Sequence, residues 1–442
     1  MSGEKPRQIA LRILQRREGG RFIEDLLEAA LTGTSLSPAD RHLCQELVYG
    51  IVRRQAALDW LITRKTQGRV QKPALQNLLR LGLYQIFWLD RIPHHAAVHE
   101  TVELARQGGF SSQAGFVNAV LRGYLRELED TRRLLAELKT HQPHLGHSHP
   151  EWLVARWQQR WGAEPTARLM EWNNTPPHTF ARVNTLKTDA SRLVEQWRAE
   201  NVEYDFVRHD WLEENLVFEL KSHPPLRSLL SFQQGGFYIQ DPSTLLAVRE
   251  LDPQPGETIL DLCAAPGGKL THIAQLMRNE GCIIAHDTAA ERLELVKENC
   301  TRLGVTCVET ILASTLSSPV LRSTSDEGGS TLFDRILLDA PCSNTGVMRR
   351  RVDLRWRLRL EEIQRLQAVQ LDLLRQAAPL LKPGGTLIYS TCSLEPGENR
   401  EVINQFLDEH RGFKLDRERE LLPFADNVDG AYVARLGKAP NR

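Results

Sequence analysis

No apolar run in this 442-residue chain reaches the roughly 18–20 residues needed to cross a bilayer. Nor does an apolar stretch follow Met1-Ser2-Gly3-Glu4-Lys5-Pro6-Arg7, as it would in a secretory leader, so a cytoplasmic protein is expected. The seven cysteines are odd in number and contain no CxxC pair. That argues against a disulfide framework or a zinc ribbon and leaves reduced thiols and no metal centre. There is no net charge, 56 Lys and Arg standing against 56 Asp and Glu, and no internal repeat. The charges are unevenly spread, however. Residues 1–150 carry 21 basic and 15 acidic side chains, and the remainder 35 and 41. A modestly basic front third permits a polyanionic partner.

The length calls for two or three domains, and the 41% hydrophobic content is ordinary for globular cores. Residues 1–140 read as helix throughout. Ile9, Ile13 and Leu14, then Leu43, Leu47, Val48, Ile51 and Leu58, then Leu79, Leu83, Ile86 and Phe87 recur at helical spacing. Ser37-Pro38 is a helix start, with a capping hydroxyl followed by a proline whose missing N–H costs nothing. Gly108-Gly109 ends the helix holding Val98, Val102 and Leu104, and Phe116, Val117, Val120, Leu121 and Leu125 form the last apolar stripe. Residues 141–150, with two prolines, a glycine and four histidines, are expected to be a solvated linker. Residues 151–240 suggest a small α+β connector with strands at 179–184, 216–220 and 236–240. From 241 to 442, strands at 258–262, 282–286, 306–311, 335–339 and 386–390 alternate with helices, and 323–331 is expected to be a surface loop. That alternation predicts an α/β domain with a parallel sheet covered on both faces.

Three strand ends carry the chemistry. The first leads into Cys263-Ala264-Ala265-Pro266-Gly267-Gly268-Lys269, whose small residues let a ligand approach backbone N–H groups at a helix start. Lys269 is followed by Leu270, so the loop is no magnesium-phosphate loop. Asp287, about twenty residues on, stands where nucleotide-binding α/β folds hold ribose hydroxyls, which points to an adenosine-containing cofactor. The second strand ends in Asp339-Ala340-Pro341-Cys342 and the third in Thr391-Cys392. Thiols at the ends of neighbouring parallel strands share a cleft and suit covalent chemistry. Six arginines lie between 349 and 359; of these, Arg349, Arg350, Arg351 and Arg355 are candidate phosphate contacts beside the thiol, with Trp356 as a stacking platform.

Asp261 to Lys269, Asp339-Ala340-Pro341-Cys342-Ser343 and Thr391-Cys392-Ser393 stand in the order found in RNA cytosine-C5 methyltransferases, which this chain resembles. Arg80 to Gln85 and Phe116 to Arg122 resemble the signature runs of the NusB-like RNA-binding fold. The combination is similar to bacterial 16S ribosomal RNA methyltransferases. The resemblance implies a Rossmann-like S-adenosyl-L-methionine-dependent domain behind an all-α NusB-like domain and the connector. It implies that Cys392 adds to C6 of a cytosine, that Cys342 assists product release and that Asp339 contacts the base. Residues 263–269, Asp287 and Asp339 would line the cofactor site. The partner would be 16S ribosomal RNA or an assembling small subunit, and the protein a monomer. The acid usual after the third strand is absent, Ala313 standing in its place. Methylation of another RNA, such as transfer RNA, or a non-catalytic RNA-binding assembly role would use the same features; a NAD-dependent dehydrogenase would explain Asp287 but neither cysteine.

Overall fold

The chain forms two compact units in the computed structural model, which describes residues 5–17, 20–312 and 332–440. One unit is Met1–Pro176 with Met348–Arg357, and the other is Pro177–Val347 with Leu358–Arg442. The loop expected at 323–331 and the position of Ala313 lie outside the described residues.

The first unit is helical. Its helices include Pro38–Arg53, Pro73–Trp88, His94–Gln107 and Ala114–Arg126. Ser37 Oγ accepts from Asp40 N at 3.1 Å with Pro38 in the first turn, as the capping pattern predicts. Gly109, at φ +82°, lets Phe110 N reach back to Ala105 O and close the helix. The apolar stripes bury as one core that includes Ile9, Leu47, Ile51, Leu83, Val102 and Leu121. Phe116 is the exception and stays 36% exposed.

The stretch expected to be a solvated linker is packed instead. Pro143–Gly146 is a helical turn, and His147, Ser148 and His149 are buried. Ser148 Oγ accepts from Ala57 N at 3.0 Å, and His149 Nδ1 lies 2.8 Å from His147 O. Burial pulls the His147 imidazole down to about 4, so it sits inside uncharged. The arginine-rich segment is a second correction. Arg355 is fully buried; its Nη1 donates to Asn174 Oδ1 at 2.8 Å and its Nη2 to Asn173 O at 2.8 Å. Arg349 is buried over the Trp172 ring at 4.0 Å. Trp356 donates Nε1 to Val52 O at 2.8 Å and packs on the helical core. Oxygens of Asn173 and Asn174 draw Arg355 inside, the Trp172 ring covers Arg349, and the Trp356 indole is half-buried with its donor on Val52 O. Among the four candidates Arg350 is half-buried and Arg351 is exposed.

The second unit holds two sheets. Strands β1 (Thr179–Val183), β2 (Glu203–Phe206), β3 (Val217–Ser222) and β4 (Phe237–Ile239) form an antiparallel sheet of order β2-β3-β1-β4. It packs Trp197, Leu193, Phe218 and Phe237 into its own core. Strands β5 (Thr258–Leu262), β6 (Cys282–Asp287), β7 (Val308–Leu312), β8 (Phe333–Asp339), β9 (Leu381–Thr391), β10 (Phe413–Leu421) and β11 (Ala431–Lys438) form the larger sheet, of order β10-β11-β9-β8-β5-β6-β7. β5 to β9 pair in parallel, and the apolar centres of β5, β6, β8 and β9 (Ile259-Leu260, Ile283-Ile284, Ile336-Leu337-Leu338, Leu387-Ile388) are buried, as strands covered on both faces require. β11 runs antiparallel between β9 and β10, a hairpin the alternation did not reveal. The order reverses between β5 and β8, and ligands of such sheets bind at that crevice, beyond the carboxyl ends of the strands.

Arg355→Ala should cost the helical unit about 3 kcal/mol, because it strands buried acceptors that now share a guanidinium. Urea denaturation followed by tryptophan fluorescence reads this. A loss below about 0.5 kcal/mol, the range of an ordinary surface substitution, would contradict the structural role.

Candidate active site

The glycine-rich loop is built on the end of β5. Cys263 turns the chain at φ +62°, and Gly267, at φ +99°, caps the helix Gly268–Leu276. The positive φ at Gly267 is one that a side chain would strain. Burial, with Asp339 and Asp287 nearby, pushes the Cys263 thiol up to about 12, so its sulfur stays protonated and its backbone shapes the loop. Ala264 N donates to His286 O at 3.0 Å, holding the loop against the end of β6. Ala265 and Pro266 continue the turn, and Asn299 Nδ2 donates to Pro266 O at 3.0 Å. Asp287 ends β6, buried; its carboxylate accepts from Ala289 N at 3.2 Å and pairs with Arg292 at 3.2 Å. It is therefore positioned by Arg292, which also donates to Ala265 O at 2.8 Å.

Asp261 is the most telling group here. It is 1% exposed, and neither carboxyl oxygen finds a hydrogen-bond donor among the described residues. Burial raises its pKa well above the usual carboxylate range, and Asp339 and Asp287 add to the shift. A buried acceptor pair without donors is a rare, costly arrangement, and it fits a ligand that brings its own ammonium.

Lys269, in the first turn of the helix, reaches Asp339 Oδ2 at 2.5 Å. Asp339, at the end of β8, also accepts from Ser390 Oγ at 2.8 Å. Burial pulls the Lys269 ammonium down, but Asp339, with Cys392 and Asp261 behind it, carries it above its ordinary value. Arg182 of β1 is fully buried with no carboxylate partner among the described residues. It donates to Gly268 O at 2.8 Å, Thr271 Oγ1 at 2.9 Å and Gln240 Oε1, and burial brings it down to about 9. The small sheet is thereby fastened to the start of the glycine-loop helix.

The two thiols meet. Cys342 Sγ lies 3.3 Å from Cys392 Sγ, and Cys392 donates to Asn344 Oδ1 at 3.0 Å. The Asn344 amide is oriented by its own Nδ2, which donates to Cys342 O at 2.8 Å. The hydrogen bond to Cys392, then burial, raises the Cys342 thiol well above its usual range.

Behind the sulfurs sits Glu398, fully buried. Its carboxyl accepts from Ser343 N at 2.8 Å, Ser343 Oγ, Ser393 Oγ at 2.5 Å and Gln370 Nε2 at 3.1 Å. Ser343 follows Cys342 and Ser393 follows Cys392, so one carboxyl joins both loops. Burial raises its pKa although those donors pull the other way. Gly346 N donates to Cys392 O at 2.9 Å, and a Cβ on Gly346 would stand 2.7 Å from Gly430 O, so only glycine fits that crossing.

The structure thus gathers Cys342, Cys392, Asp339 and Lys269 at the ends of β5, β8 and β9. The loop 263–268 and Asp287 stand at the adjoining ends of β5 and β6. Arg349 and Arg355 belong to the interior of the helical unit. The sequence reading gave no role to the bare carboxyl of Asp261, to Asn344, to Glu398 or to Arg182. A basic residue in a strand run otherwise apolar, as in Thr179-Phe180-Ala181-Arg182-Val183, was the available signal for the last.

Residues 248–437 match the family described as 16S rRNA methyltransferase RsmB/F. Residues 4–126 match the NusB family, and 149–221 the ferredoxin-like domain of the RsmF/B-like methyltransferases. The chain is 40% identical to the probable ribosomal RNA small subunit methyltransferase B of Bacillus subtilis (strain 168), over 98% of both chains. It resembles the crystal structure of PH0851 with a TM-score of 0.76 and 25% identity, over 98% of this chain and all of that one. A methyltransferase homolog protein from Pyrococcus horikoshii matches at TM-score 0.57 and 33% identity, over 67% of this chain and 97% of that one. With that identity spanning nearly its whole length, and with family matches along all three segments, the chain belongs to the RsmB/F family of 16S rRNA methyltransferases and is an enzyme.

Proposed function

We propose that this enzyme methylates C5 of a cytosine in 16S ribosomal RNA through a covalent bond between Cys392 and C6 of the base. The observation that carries the reading is the pair of sulfurs 3.3 Å apart at the ends of β8 and β9, beside the Asp339–Lys269 ion pair. The Bacillus subtilis relative, named a probable ribosomal RNA small subunit methyltransferase B, supports the substrate class.

S-adenosyl-L-methionine, when bound, supplies an electrophilic methyl on a sulfonium centre. Asp261 would receive the donor's ammonium, residues 263–268 would lie along its backbone-facing side, and Asp287 would accept from a ribose hydroxyl while held by Arg292. The two bare oxygens of Asp261 are what make the fit specific.

The residues of the chain then act on the base, which must be unpaired or turned out of a helix for C6 to be reached. Cys392, as thiolate, forms the C–S bond at C6 and the electron pair moves to C5, which becomes the nucleophile. Asp339 holds the ring edge, and Lys269 keeps Asp339 in place. After C5 has taken the methyl, a base must remove the C5 proton so that the electron pair can expel the Cys392 thiolate. Cys342 suits that step. The hydrogen bond with Cys392, then burial, holds its proton in the resting pair, and forming the C–S bond removes the first of these. Cys342 then loses its proton to solvent and, as thiolate, takes the one from C5, while Cys392 leaves as thiolate; one proton is released overall, as methyl transfer from a sulfonium requires.

Cys392→Ala should abolish methyl transfer while leaving S-adenosyl-L-methionine binding measurable by calorimetry; an active variant would sink the mechanism. Cys342→Ala should instead accumulate an RNA–protein adduct that survives denaturing electrophoresis. An unretarded band would remove the release role.

Asp261→Asn should weaken S-adenosyl-L-methionine by roughly 10–100-fold, the worth of a hydrogen bond to a charged group. The same variant bears on pH. Asp261 is raised on folding, so the folded chain keeps a proton that the unfolded chain releases; stability is full below the unfolded value near 3.9 and falls as pH rises toward the raised one. Thermal unfolding of Asp261→Asn should lack that component of the fall. An identical pH slope in both proteins would contradict it.

A further inference from the structure

Asn344 stands in the loop after β8 and bonds to both cysteines. Its backbone is left-handed, at φ +58°, and its Nδ2 donates to Cys342 O at 2.8 Å. A carbonyl only accepts, so this bond decides which end of the amide faces where. Oδ1 is left to face Cys392, whose Sγ–H it accepts at 3.0 Å. Each thiol has a single proton. With that of Cys392 committed to the amide, the 3.3 Å contact between the sulfurs is a bond donated by Cys342 to Cys392. The three groups form a chain with one direction, from Cys342 to Cys392 to Asn344.

We infer that Asn344 is a positioning residue for Cys392, a reading that rests on the proposed attack by that sulfur. Its amide holds the sulfur in one rotamer, so the nucleophile is aimed before a base arrives. It also offers the sulfur an acceptor and nothing else. Cys392 keeps this bond as a thiol, whereas the sulfur stripped of its proton would face the negative end of the amide dipole. Attack therefore begins when that proton passes to solvent and the contact with Asn344 is given up. Until then the amide restrains Cys392 from reacting with other electrophiles that enter the cleft.

The loop does not need the Asn344 side chain to keep its shape. Ser343 N donates to Glu398 at 2.8 Å, Thr345 Oγ1 accepts from Leu394 N at 2.8 Å, and Gly346 N donates to Cys392 O at 2.9 Å. Glycine adopts a left-handed φ at no steric cost, and aspartate is among the residues enriched there. Asn344→Gly thus removes the amide from an intact loop. Asn344→Asp keeps an acceptor, adds a charge and drops the donor to Cys342 O.

The experiment measures two rates on the full-length protein. One is methyl transfer to 16S ribosomal RNA. The other is alkylation of Cys392 by iodoacetamide without RNA, read by mass spectrometry of the peptide that carries it. Alkylation joins the sulfur to the reagent's carbon, iodide leaves and the thiol proton passes to the buffer, and a small reagent needs no aimed sulfur. In Asn344→Gly, kcat should fall about tenfold while KM for S-adenosyl-L-methionine is unchanged. Alkylation of the same variant should speed up about threefold, the worth of a modest hydrogen bond. Asn344→Asp should also lower kcat but slow alkylation about tenfold, because a carboxylate opposes a neighbouring thiolate. A merely structural residue would move both rates together. Equal alkylation in the three proteins, wild-type kcat in Asn344→Gly, or early thermal melting of both variants overturns the inference. Alkylation in the expected order from a protein whose Cys392→Ala form still transfers methyl overturns the proposed attack and leaves the hold of Asn344 on the thiol standing.

Discussion

A single buried carboxyl, that of Glu398, receives hydrogen bonds from the loops that follow two neighbouring strands, and the separation of the two sulfurs depends on it. Parallel pairing of β8 with β9 brings Asp339 opposite Ser390, but the strands end there and leave Cys342 and Cys392 on irregular backbone. Loops of that kind ordinarily have freedom to drift. Here Ser343 and Ser393, one residue beyond each thiol, donate to the same carboxyl, and Gln370 ties it to Pro341 O at 2.9 Å. The close crossing of Gly346 and Gly430 fixes the other side. A covalent mechanism that uses two thiols in turn needs that precision, because a displacement of about 1 Å can cost on the order of 100-fold in rate.

The donor side follows a different logic. Among the described residues, Asp261 has no hydrogen-bond donor and Arg182 no acid partner, and both are buried inside the second unit. Each is expensive in isolation. Arg182 is compensated by carbonyl, amide and hydroxyl oxygens, and in return couples the small antiparallel sheet to the helix start at Gly268. Asp261 has no such compensation from the protein. If Asp261 receives the ammonium of the methyl donor as proposed, its cost is recovered on binding, which places affinity and apo stability in opposition at one residue.

Much of the candidate site was legible because it lies where sequence patterns are strongest. An apolar β-run ending in a reactive side chain marks a strand terminus in a parallel sheet, and Asp339, Cys342 and Cys392 all stand so. The C-terminal hairpin was not legible, because β10 reads Phe-Lys-Leu-Asp-Arg-Glu-Arg-Glu-Leu and its alternation is masked by charge on an exposed edge strand. Arginine clustering misled in the opposite direction. Solvated or nucleic-acid-facing arginine is the common case, yet Arg355 is buried because Asn173 O, Asn174 Oδ1 and nearby carbonyls offer acceptors that no sequence pattern displays. The same is true of Ser148, whose hydroxyl caps Ala57 N across 91 residues and draws a Pro- and His-rich stretch inward. Glu398 escaped notice for a related reason: among Glu395, Pro396, Gly397 and Asn399 it looks like one more surface carboxylate, and only its four donors set it apart.

The division of labour between the two thiols is the claim on which the rest of the chemistry stands. It can be read from one trapping experiment with the wild-type enzyme. RNA carrying 5-fluorocytidine at the target position can be attacked at C6 and methylated at C5 but has no C5 proton to lose, so the adduct cannot be released. Proteolysis and mass spectrometry of the trapped species should find the nucleotide on Cys392 and Cys342 unmodified. Attachment at Cys342, or methylation of unsubstituted RNA with no adduct on either sulfur, would contradict the account.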